Sequence, residues 1–278
     1  MVATPIGNLQ DITLRALEIL RSVDLVAAED TRHTAHLLAH FAIQKKLLAV
    51  HEHNERKASA TLVGRLQAGE SVALVTDAGT PGISDPGAVL VDAVRTAGFA
   101  VVPVPGASAV IAALSAAGIA APGFRFHGFL PASGAARRQA LTELKEQPVT
   151  LVFYEAPHRI LASVADMAQV FGGERRLIIA RELTKTFESF HRCPLSEAVD
   201  WLQADSNRQR GEFVLLVEVE AAPLRREQGL GEGARHILES LLAELPLKQA
   251  VKLAAAISGE KKNALYQLAL ELQNGTHE

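Results

Sequence analysis

The sequence is poor in cysteine, methionine and aromatic residues. It contains one cysteine, two methionines and one tryptophan, and aromatic residues make up 5% of the chain. Cys193 has no partner cysteine, so a disulfide framework within the chain is excluded. Proteins that lack disulfides are typical of reducing compartments, and we therefore expect a cytoplasmic location. We interpret Cys193 itself as a passive buried thiol.

Long hydrophobic segments are also absent. The longest apolar run, residues 107–121, is too short to cross a bilayer. No basic segment followed by an apolar core comes after Met1, so we expect neither a signal peptide nor contact with a membrane. Residues 1–3 resemble the end of a strand whose beginning is missing, which would fit a trimmed or misassigned start.

A strong excess of charge of either sign is missing too. The net charge of −3 excludes a globally basic protein, so any surface for nucleic acid must be a local patch. The composition, 48% hydrophobic and 21% charged, is that of a globular protein. A chain of 278 residues is long enough for two domains or one large domain.

The segment 72–87, VALVTDAGTPGISDPG, stands out among what is present. Its apolar start predicts a strand covered on both faces, and Asp77 and Asp85 follow among glycines and prolines. Open α/β sheets bind ligands at the carboxyl ends of their strands, so we predict a binding crevice here. The alternative is an ordinary loop between a strand and a helix.

Strands and helices alternate up to residue 120, which predicts a parallel, doubly wound sheet. The last of these strands is expected over residues 100–104, and Asp11 is the candidate cap of the first helix. The small residues 105–109 open an apolar helix whose free N–H groups would face the crevice. A second α/β pattern begins at Phe124 and predicts strands over residues 124–130, 150–154, 175–180, 187–191 and 213–219. Its strands repeatedly end in charged clusters. We predict an N-terminal α/β domain over residues 1–121, a C-terminal α/β domain over 122–222, a linker over 222–233 and a helical tail over 234–278.

Three short helices are predicted in the tail, over residues 234–245, 246–257 and 261–272. Their arrangement about a glycine turn resembles a helix-turn-helix. Lysines give this region a basic face; the alternative is a solvated helical cap.

Polar clusters follow two further strands. Residues 29–33 come after the strand predicted at 24–28, where the alternative is a solvated loop with a salt bridge. His51, His53 and Glu55 alternate after the next strand, a spacing that allows a metal site. Since no further cysteine or histidine cluster offers another ligand, we favour a polar loop facing the substrate and predict no metal.

Eight segments in order resemble one known family. They are TPIGNLQDIT at 4–13, AEDTRHT at 28–34, HEHNE at 51–55, TDAGTPGISDPG at 76–87, PVPGASA at 103–109, FYEAPHR at 153–159, RELTKTFE at 181–188 and GEFVLLVE at 211–218. Together they resemble the bacterial 16S ribosomal RNA cytidine-2′-O-methyltransferases of the tetrapyrrole methylase superfamily. The resemblance covers nearly the whole chain, including the tail. One departure is shared with the RNA branch: the first turn, TPIGN, is less rich in glycine than that of the porphyrin methylases.

This resemblance implies an α/β, two-domain, tetrapyrrole-methylase-like fold, with two lobes around a cofactor cleft and a small helical domain at the C-terminus. It implies an enzyme that transfers a methyl group from S-adenosylmethionine to the ribose of a cytidine in the decoding centre of 16S ribosomal RNA. The implied partners are the small ribosomal subunit, as an assembled substrate, and a second copy of the chain in a homodimer.

The resemblance also implies site residues. Those implied for the cofactor are Pro5, Gly7, Asp77, Ala78, Gly79, Pro81, Asp85, Pro105, Gly106, Ser108, Ala109, Tyr154, Glu155 and Ala156. A ribose hydroxyl is a weak nucleophile, so a base should help. The strand-end candidates are Glu29, Asp30, His53, Glu55, Glu182 and Lys185, of which we favour Glu29, Asp30 and Lys185. Candidates for RNA contacts are Arg32, Arg137, Arg138, Arg159, Arg181, Lys248, Lys252, Lys261 and Lys262.

Two other functions stay open at this point. One is a methylase for a small tetrapyrrole, although such a substrate would give no reason for a remote basic tail. The other is an RNA-binding assembly factor that keeps the fold without catalysis. An assay for methyl transfer separates the second from an enzyme, because a pure binder forms no product.

Overall fold

The structure, a computed structural model, describes residues 1–51, 53–120, 123–219 and 232–274. The chain divides into two compact units, Met1–Glu220 and Ala221–Glu278. The domain boundary predicted between residues 121 and 122 lies outside the described residues, as does nearly all of the predicted linker 222–233.

The first unit begins with a three-stranded parallel sheet in the order β2-β1-β3. Its strands are β1 (Leu25–Ala28), β2 (Lys46–Ala49) and β3 (Val72–Val75). The helices of this part of the chain are α1 (Leu14–Ser22), α2 (Thr31–His40), α3 (Glu55–Gln67), α4 (Ala88–Thr96) and α5 (Ala109–Ala116). The predicted parallel sheet is confirmed, and all four residues of β1 are buried, as expected for a sheet covered on both faces.

Two local predictions in this region are wrong. The strand expected over residues 100–104 is reduced to one bridge, in which Val104 pairs with Val2 in parallel. Asp11 does not cap α1; Thr13 does, because its hydroxyl accepts a hydrogen bond from the Ala16 N–H at 3.0 Å.

A five-stranded mixed sheet completes the first unit, in the order β4-β5-β8-β6-β7. Only β4 and β5 are parallel; the other neighbours are antiparallel. The strands are β4 (Phe124–Phe129), β5 (Thr150–Glu155), β6 (Arg176–Arg181), β7 (Ser189–Pro194) and β8 (Phe213–Val217). All five predicted strands of the second α/β pattern are therefore present.

Three helices accompany this sheet: α6 (Gly134–Leu144), α7 (Ile160–Phe171) and α8 (Leu195–Gln203). The sequence reading missed α8, whose buried residues Leu195, Ala198 and Leu202 recur at helical spacing. Cys193 is buried, and burial raises the pKa of its thiol to about 11, in keeping with the predicted passive role.

Arg137, predicted to contact RNA, is buried on α6 instead. It is 5% exposed, and its Nε donates to Asp166 Oδ2 on α7 at 2.7 Å. A buried guanidinium requires such a partner, so this arginine joins α6 to α7 and has no free face for a phosphate.

The second unit contains three helices, α9 (Glu232–Glu244), α10 (Leu247–Ser258) and α11 (Lys262–Asn274). They share a core that includes Leu238, Ala254 and Leu265. Gly259 ends α10 in the left-handed conformation, at φ 72°. The tail lysines are exposed, namely Lys248, Lys252, Lys261 and Lys262. Among the described residues, we find no helix with the length and apolar character needed to span a membrane.

Candidate active site

A cavity of about 320 Å³ lies beside the loop that follows β3. Both sheets of the first unit contribute to its walls. Among the predicted cofactor residues, those that line it are Ala78, Gly79, Asp85, Ser108, Ala109, Tyr154, Glu155 and Ala156. The crevice predicted from the segment 72–87 is therefore present, with walls from the strand ends of both sheets.

A second cavity, of about 490 Å³, adjoins the first and shares Ile6, Ala78 and Glu212 with it. The predicted cofactor residues Pro5, Gly7 and Asp77 line this second cavity. Pro81, Pro105 and Gly106 line neither cavity. Close packing explains the glycine at position 106 instead, since a Cβ there would lie 2.8 Å from the Cβ of Ala3.

The first turn of the chain is attached to the loop after β3. The Thr4 N–H donates to the Gly79 carbonyl at 2.9 Å, and the Gly79 N–H donates to the Thr4 carbonyl at 3.1 Å. Gly79 has φ +85°, which favours glycine, and an added Cβ would be 3.4 Å from Ile6. These bonds hold Ile6 at the wall between the two cavities.

Three acidic side chains, Glu29, Asp77 and Asp85, lie close together at the carboxyl end of the three-stranded sheet. Burial and then the charge of Glu29 raise the pKa of Asp85 to about 6. Burial and then the charge of Asp77 raise the pKa of Glu29. Across the described ranges, none of the ion pairs includes any of the three. This region is therefore suited to a cation.

Asp30, one of the three favoured bases, is occupied elsewhere. Its Oδ1 accepts the Arg32 N–H at 2.8 Å at the start of α2, and its Oδ2 lies 2.8 Å from Arg32 Nη2. Hydrogen bonds from the Arg32 side chain and N–H lower the pKa of Asp30 to about 2. A carboxylate this weakly basic is a poor proton acceptor, and neither Asp30 nor Glu29 lines either cavity.

Lys185, the third favoured base, lines the second cavity. Its Nζ lies 2.9 Å from Glu182 Oε1 and 2.8 Å from Glu212 Oε2. Burial lowers the pKa of Lys185, but the hydrogen bonds to Glu212 and Glu182 outweigh it, and the net shift is upward. Lys185 is therefore held as a cation in this arrangement.

Glu155 lines the first cavity, but its carboxylate is turned to its own loop. Oε1 accepts the Ala156 N–H at 2.8 Å and Arg159 Nε at 2.9 Å, and Oε2 accepts the Ser163 hydroxyl. Arg159 also donates to the Leu130 carbonyl at 3.2 Å. Glu155 thus fixes the shape of the cavity wall, and Arg159, predicted for RNA, is engaged in the same network.

The remaining arginines predicted for RNA differ in exposure. Arg181 donates to the carbonyl groups of Asn207, Arg210 and Phe187, so it joins loops of the fold. Arg32 has an 88% exposed side chain and Arg138 a 43% exposed one, although each also pairs with a carboxylate. Of these five arginines, only Arg32 is largely exposed, and Arg138 is partly exposed.

Glu55, considered above as a metal ligand, has a structural role. Its Oε1 accepts the N–H groups of Gly87 at 2.9 Å and Leu90 at 3.1 Å, at the start of α4. Within the described part of the chain, no group of histidine, cysteine, aspartate or glutamate side chains is arranged to hold a metal ion. Glu52, in the same motif, lies outside the described residues.

Among the lining residues that the sequence did not predict are one carboxylate and three histidines. Glu212 lines both cavities, and His33, His36 and His40 line the second. The signal for the histidines was visible, because a spacing of three and four places them on one face of α2. Glu212 lies in the GEFVLLVE segment, but only the fold brings it to Lys185.

Comparisons with known proteins agree with this geometry. Residues 1–199 match the family described as Tetrapyrrole (Corrin/Porphyrin) Methylases, and residues 228–273 match the RsmI C-terminal HTH domain. The chain is 58% identical over 273 residues to "Ribosomal RNA small subunit methyltransferase I" of Pseudomonas aeruginosa, covering 98% of this chain and 96% of the relative. The chain belongs to this methyltransferase family. The protein of the same name from Escherichia coli O157:H7 is 53% identical over 273 residues, covering 98% and 94%.

A solved structure supports the fold. Uroporphyrin-III C-methyltransferase from Thermus thermophilus, complexed with S-adenosyl homocysteine, aligns with a TM-score of 0.55 at 19% identity, over 78% of this chain and 96% of that one. The predicted fold class is confirmed, as is the prediction of a methyltransferase. The family depends on S-adenosylmethionine, which confirms the predicted cofactor.

The first cavity fits this cofactor. A volume of about 320 Å³ is in the range of small-molecule sites, and its walls combine small residues with the aromatic rings of Phe129 and Tyr154. Asp85, on the wall, and the neighbouring carboxylates Glu29 and Asp77 complement a ligand that carries positive charge. The fit thus rests on both shape and charge.

Proposed function

We propose that this protein transfers a methyl group from S-adenosylmethionine to the ribose 2′-oxygen of a cytidine in the decoding centre of 16S ribosomal RNA. The acceptor is presented by the assembled small subunit, and the enzyme acts in the cytoplasm as a homodimer. The two adjoining cavities carry this proposal, because one suits the cofactor and the other opens beside it for an acceptor. The names of the curated relatives support RNA of the small ribosomal subunit as the substrate.

The residues of the first cavity would hold the methyl donor. When bound, S-adenosylmethionine supplies an electrophilic methyl group on a sulfonium sulfur. Asp85 would meet positive charge on the cofactor, and Tyr154 and Phe129 would contact its apolar parts. We keep the division into lobes over residues 1–121 and 122–222 as part of this proposal, since residues of both segments line the cavity.

Glu212 is the group that we assign to the proton of the acceptor hydroxyl. It lines both cavities, and its Oε2 is held 2.8 Å from Lys185 Nζ. The Glu212 carboxylate would accept the proton of the ribose 2′-hydroxyl as that oxygen takes up the methyl group that the bound cofactor would supply. Lys185, protonated between Glu182 and Glu212, orients this carboxylate.

Exposed cations outside the cavities would position the RNA. On the first unit these are Arg32 and Arg138, and on the second they are Lys248, Lys252, Lys261 and Lys262. Contacts with phosphates fix the position of RNA without reading its sequence, so the shape of an assembled particle would select the nucleotide. Free RNA should then be a poor substrate.

The test is methyl transfer to undermethylated small subunits and to free 16S ribosomal RNA, with labelled S-adenosylmethionine and mapping of the modified nucleotide. We expect label on one cytidine ribose in the subunit and little on free RNA. Glu212→Gln should lower kcat by roughly 10²-fold or more, a far larger change than in the Kd of the cofactor. Asp77→Ala should weaken cofactor binding if the loop after β3 forms the cofactor site.

Other outcomes would decide against the proposal. Cofactor binding without label in either RNA would direct the search to small acceptors such as tetrapyrroles, on which the solved uroporphyrin-III enzyme is named to act. RNA binding without any methyl product would favour a non-catalytic assembly factor. Full activity of Glu212→Gln would remove only the assignment of the proton acceptor.

A further inference from the structure

The second cavity has walls of a different chemistry from those of the first. One side is the turn Thr4–Gly7, and another is the outer face of α2, with His33, His36 and His40. Lys185 and Glu212 also line this cavity, and Glu212, Ile6 and Ala78 are shared with the first cavity. An acceptor in this cavity would therefore reach the methyl donor across Ile6 and Ala78.

The three histidines form a row, which we call the histidine row. They are spaced by three and four residues, so they share one face of α2, and all three are exposed. Within the described residues, the side chains of His33 and His36 make neither a hydrogen bond nor an ion pair, and His40 makes only an edge contact with the ring of Phe41. The fold gives these side chains no evident structural task.

Imidazole suits an unstacked nucleotide in two ways. Its ring stacks on a base, and its N–H groups donate to phosphate or ribose oxygens. Arg32 precedes the row directly, and its side chain is 88% exposed. One helix thus offers a cation and three aromatic donors beside a cavity that adjoins the cofactor cavity.

The turn opposite the row has little freedom to move. The Asn8 N–H donates to Thr184 Oγ1 at 3.0 Å, and a Cβ at Gly7 would lie 2.5 Å from Lys185 Cγ. The turn therefore sits directly on the segment that carries Lys185. A cavity with one wall fixed in this way is preorganised for a ligand of defined shape.

We propose that the second cavity binds the acceptor nucleotide, extruded from single-stranded RNA, and that the histidine row contacts this nucleotide or its immediate neighbours in the strand. This inference rests on the proposed function and adds a substrate site to it. The row positions the RNA and takes no part in moving the proton, which is assigned to Glu212.

The first experiment compares the triple variant His33→Ala, His36→Ala and His40→Ala with wild type and with His127→Ala. His127 is an exposed histidine of the same unit that lines neither cavity. Alanine favours the helix, so we expect the triple variant to remain folded, with an unchanged Tm. We expect its KM for undermethylated subunits to rise roughly tenfold or more, the order that loss of base stacking gives. Its Kd for S-adenosylmethionine should stay unchanged.

The second experiment places a cleavage reagent on the row. Cys193 is buried, so the variant His36→Cys can be labelled at one exposed thiol with a tethered iron chelate. Hydroxyl radicals produced there should cut the RNA within a few nucleotides of the methylated cytidine. The same label on His127→Cys should give no cuts at that position.

The outcomes distinguish a failure of this inference from a failure of the proposed function. If wild type methylates the subunit and the triple variant does so with unchanged KM and kcat, the inference is overturned while the proposed function stands. A rise in the Kd of the cofactor without a change in KM for RNA would also overturn it, by placing the row in the cofactor site. If wild type methylates no RNA, the proposed function fails and the inference fails with it.

Discussion

Acidic side chains serve opposite purposes in the two sheets of the first unit. Beside the five-stranded sheet, buried or partly buried carboxylates are matched with cations: Asp166 with Arg137 and Arg138, Glu155 with Arg159, Glu182 with Lys185, and Glu218 with Arg192. At the end of the three-stranded sheet, Glu29, Asp77 and Asp85 adjoin one another instead. The ion pairs of the described residues include none of these three.

The difference separates carboxylates that form ion pairs within the fold from carboxylates that, in our proposal, meet the positive charge of the cofactor. A buried pair compensates the loss of water for both of its charges. Burial, and then the charge of a neighbouring carboxylate, disfavours the charged forms of Asp85 and Glu29 and raises the pKa of each. A cation bound beside these carboxylates would relieve that cost.

The largest expected effect comes from breaking a pair beside the five-stranded sheet. Arg137→Ala leaves Asp166, itself 7% exposed, with only Arg138 as a cationic partner. We expect the free energy of unfolding to fall by about 3 kcal/mol, measured by urea denaturation. Arg138→Ala is the matched control, because its side chain is 43% exposed and should contribute under about 1 kcal/mol. Equal losses from the two variants would contradict the structural role of Arg137.

Removing one charge from the three-stranded sheet should weaken cofactor binding without destabilising the protein. For Asp85→Asn we expect the Kd for S-adenosylmethionine to rise roughly tenfold to a hundredfold, since a hydrogen bond to a charged group contributes about 1.5–3 kcal/mol. The free protein should become more stable, because the repulsion from Glu29 is relieved. Calorimetric titration and thermal unfolding measure the two effects. Asp92→Asn, an exposed change on α4, is the control and should alter neither.

The stability of the free protein should depend on pH through the same carboxylate, that of Asp85. The pKa of Asp85 is raised by burial from 3.8 to about 6, so between these values the folded state binds more protons than the unfolded state. Its contribution to stability is therefore present below pH 4 and is lost as the pH rises through about 6. The difference in stability between Asp85→Asn and wild type should grow over this interval. A constant difference would show that Asp85 titrates normally.

Cofactor affinity should change with pH in the opposite sense. Protonation below about pH 6 removes the negative charge of Asp85, so the affinity for S-adenosylmethionine should fall as the pH decreases through that value. A single proton limits the slope to at most about tenfold per pH unit. Titrations from pH 5 to 8 test this, and Asp85→Asn should flatten the profile.

The smallest effect is expected at Asp30, the paired carboxylate of the three-stranded sheet. Asp30→Asn keeps an oxygen that can accept the N–H at the start of α2 but loses the exposed ion pair with Arg32. We expect a change in the free energy of unfolding of about 0.5 kcal/mol or less, and activity within about twofold of wild type. A loss of kcat of about 10²-fold in steady-state assays would instead restore Asp30 as a candidate base.

Much of the fold was predictable because it depends on local pattern. The apolar run before Thr76 and the small residues after it predicted both a strand and the crevice at its end, and β3 and the first cavity agree. The bounds of the three tail helices differ from the predicted ones by one or two residues. The strand at the edge of the sheet was harder to predict. Residues 100–104 have the composition of a strand, but only Val104 forms a β-bridge, with Val2.

The prediction of site residues was less complete, because the type of a residue and its position along the chain do not define which groups surround its side chain in the fold. Arg137 and Arg138 look alike in sequence, yet one is buried against Asp166 and the other is partly exposed. Asp30 and Glu29 are adjacent, yet a guanidinium lowers the pKa of Asp30, whereas burial and Asp77 raise that of Glu29. Glu212 was missed because its partner Lys185 is distant in the chain.

The sequence by itself determined the α/β pattern, the helical tail, the absence of a disulfide framework and, through eight ordered segments, the family. Hydrophobic periodicity and turn-forming residues act over a few positions, so they can be read from neighbours in the chain. Only the tertiary structure decided which carboxylates meet cations, which meet one another, and that Glu212 and the histidine row share a cavity. Electrostatic energy depends on distance through space and on burial, and both are set by segments that the chain order keeps far apart.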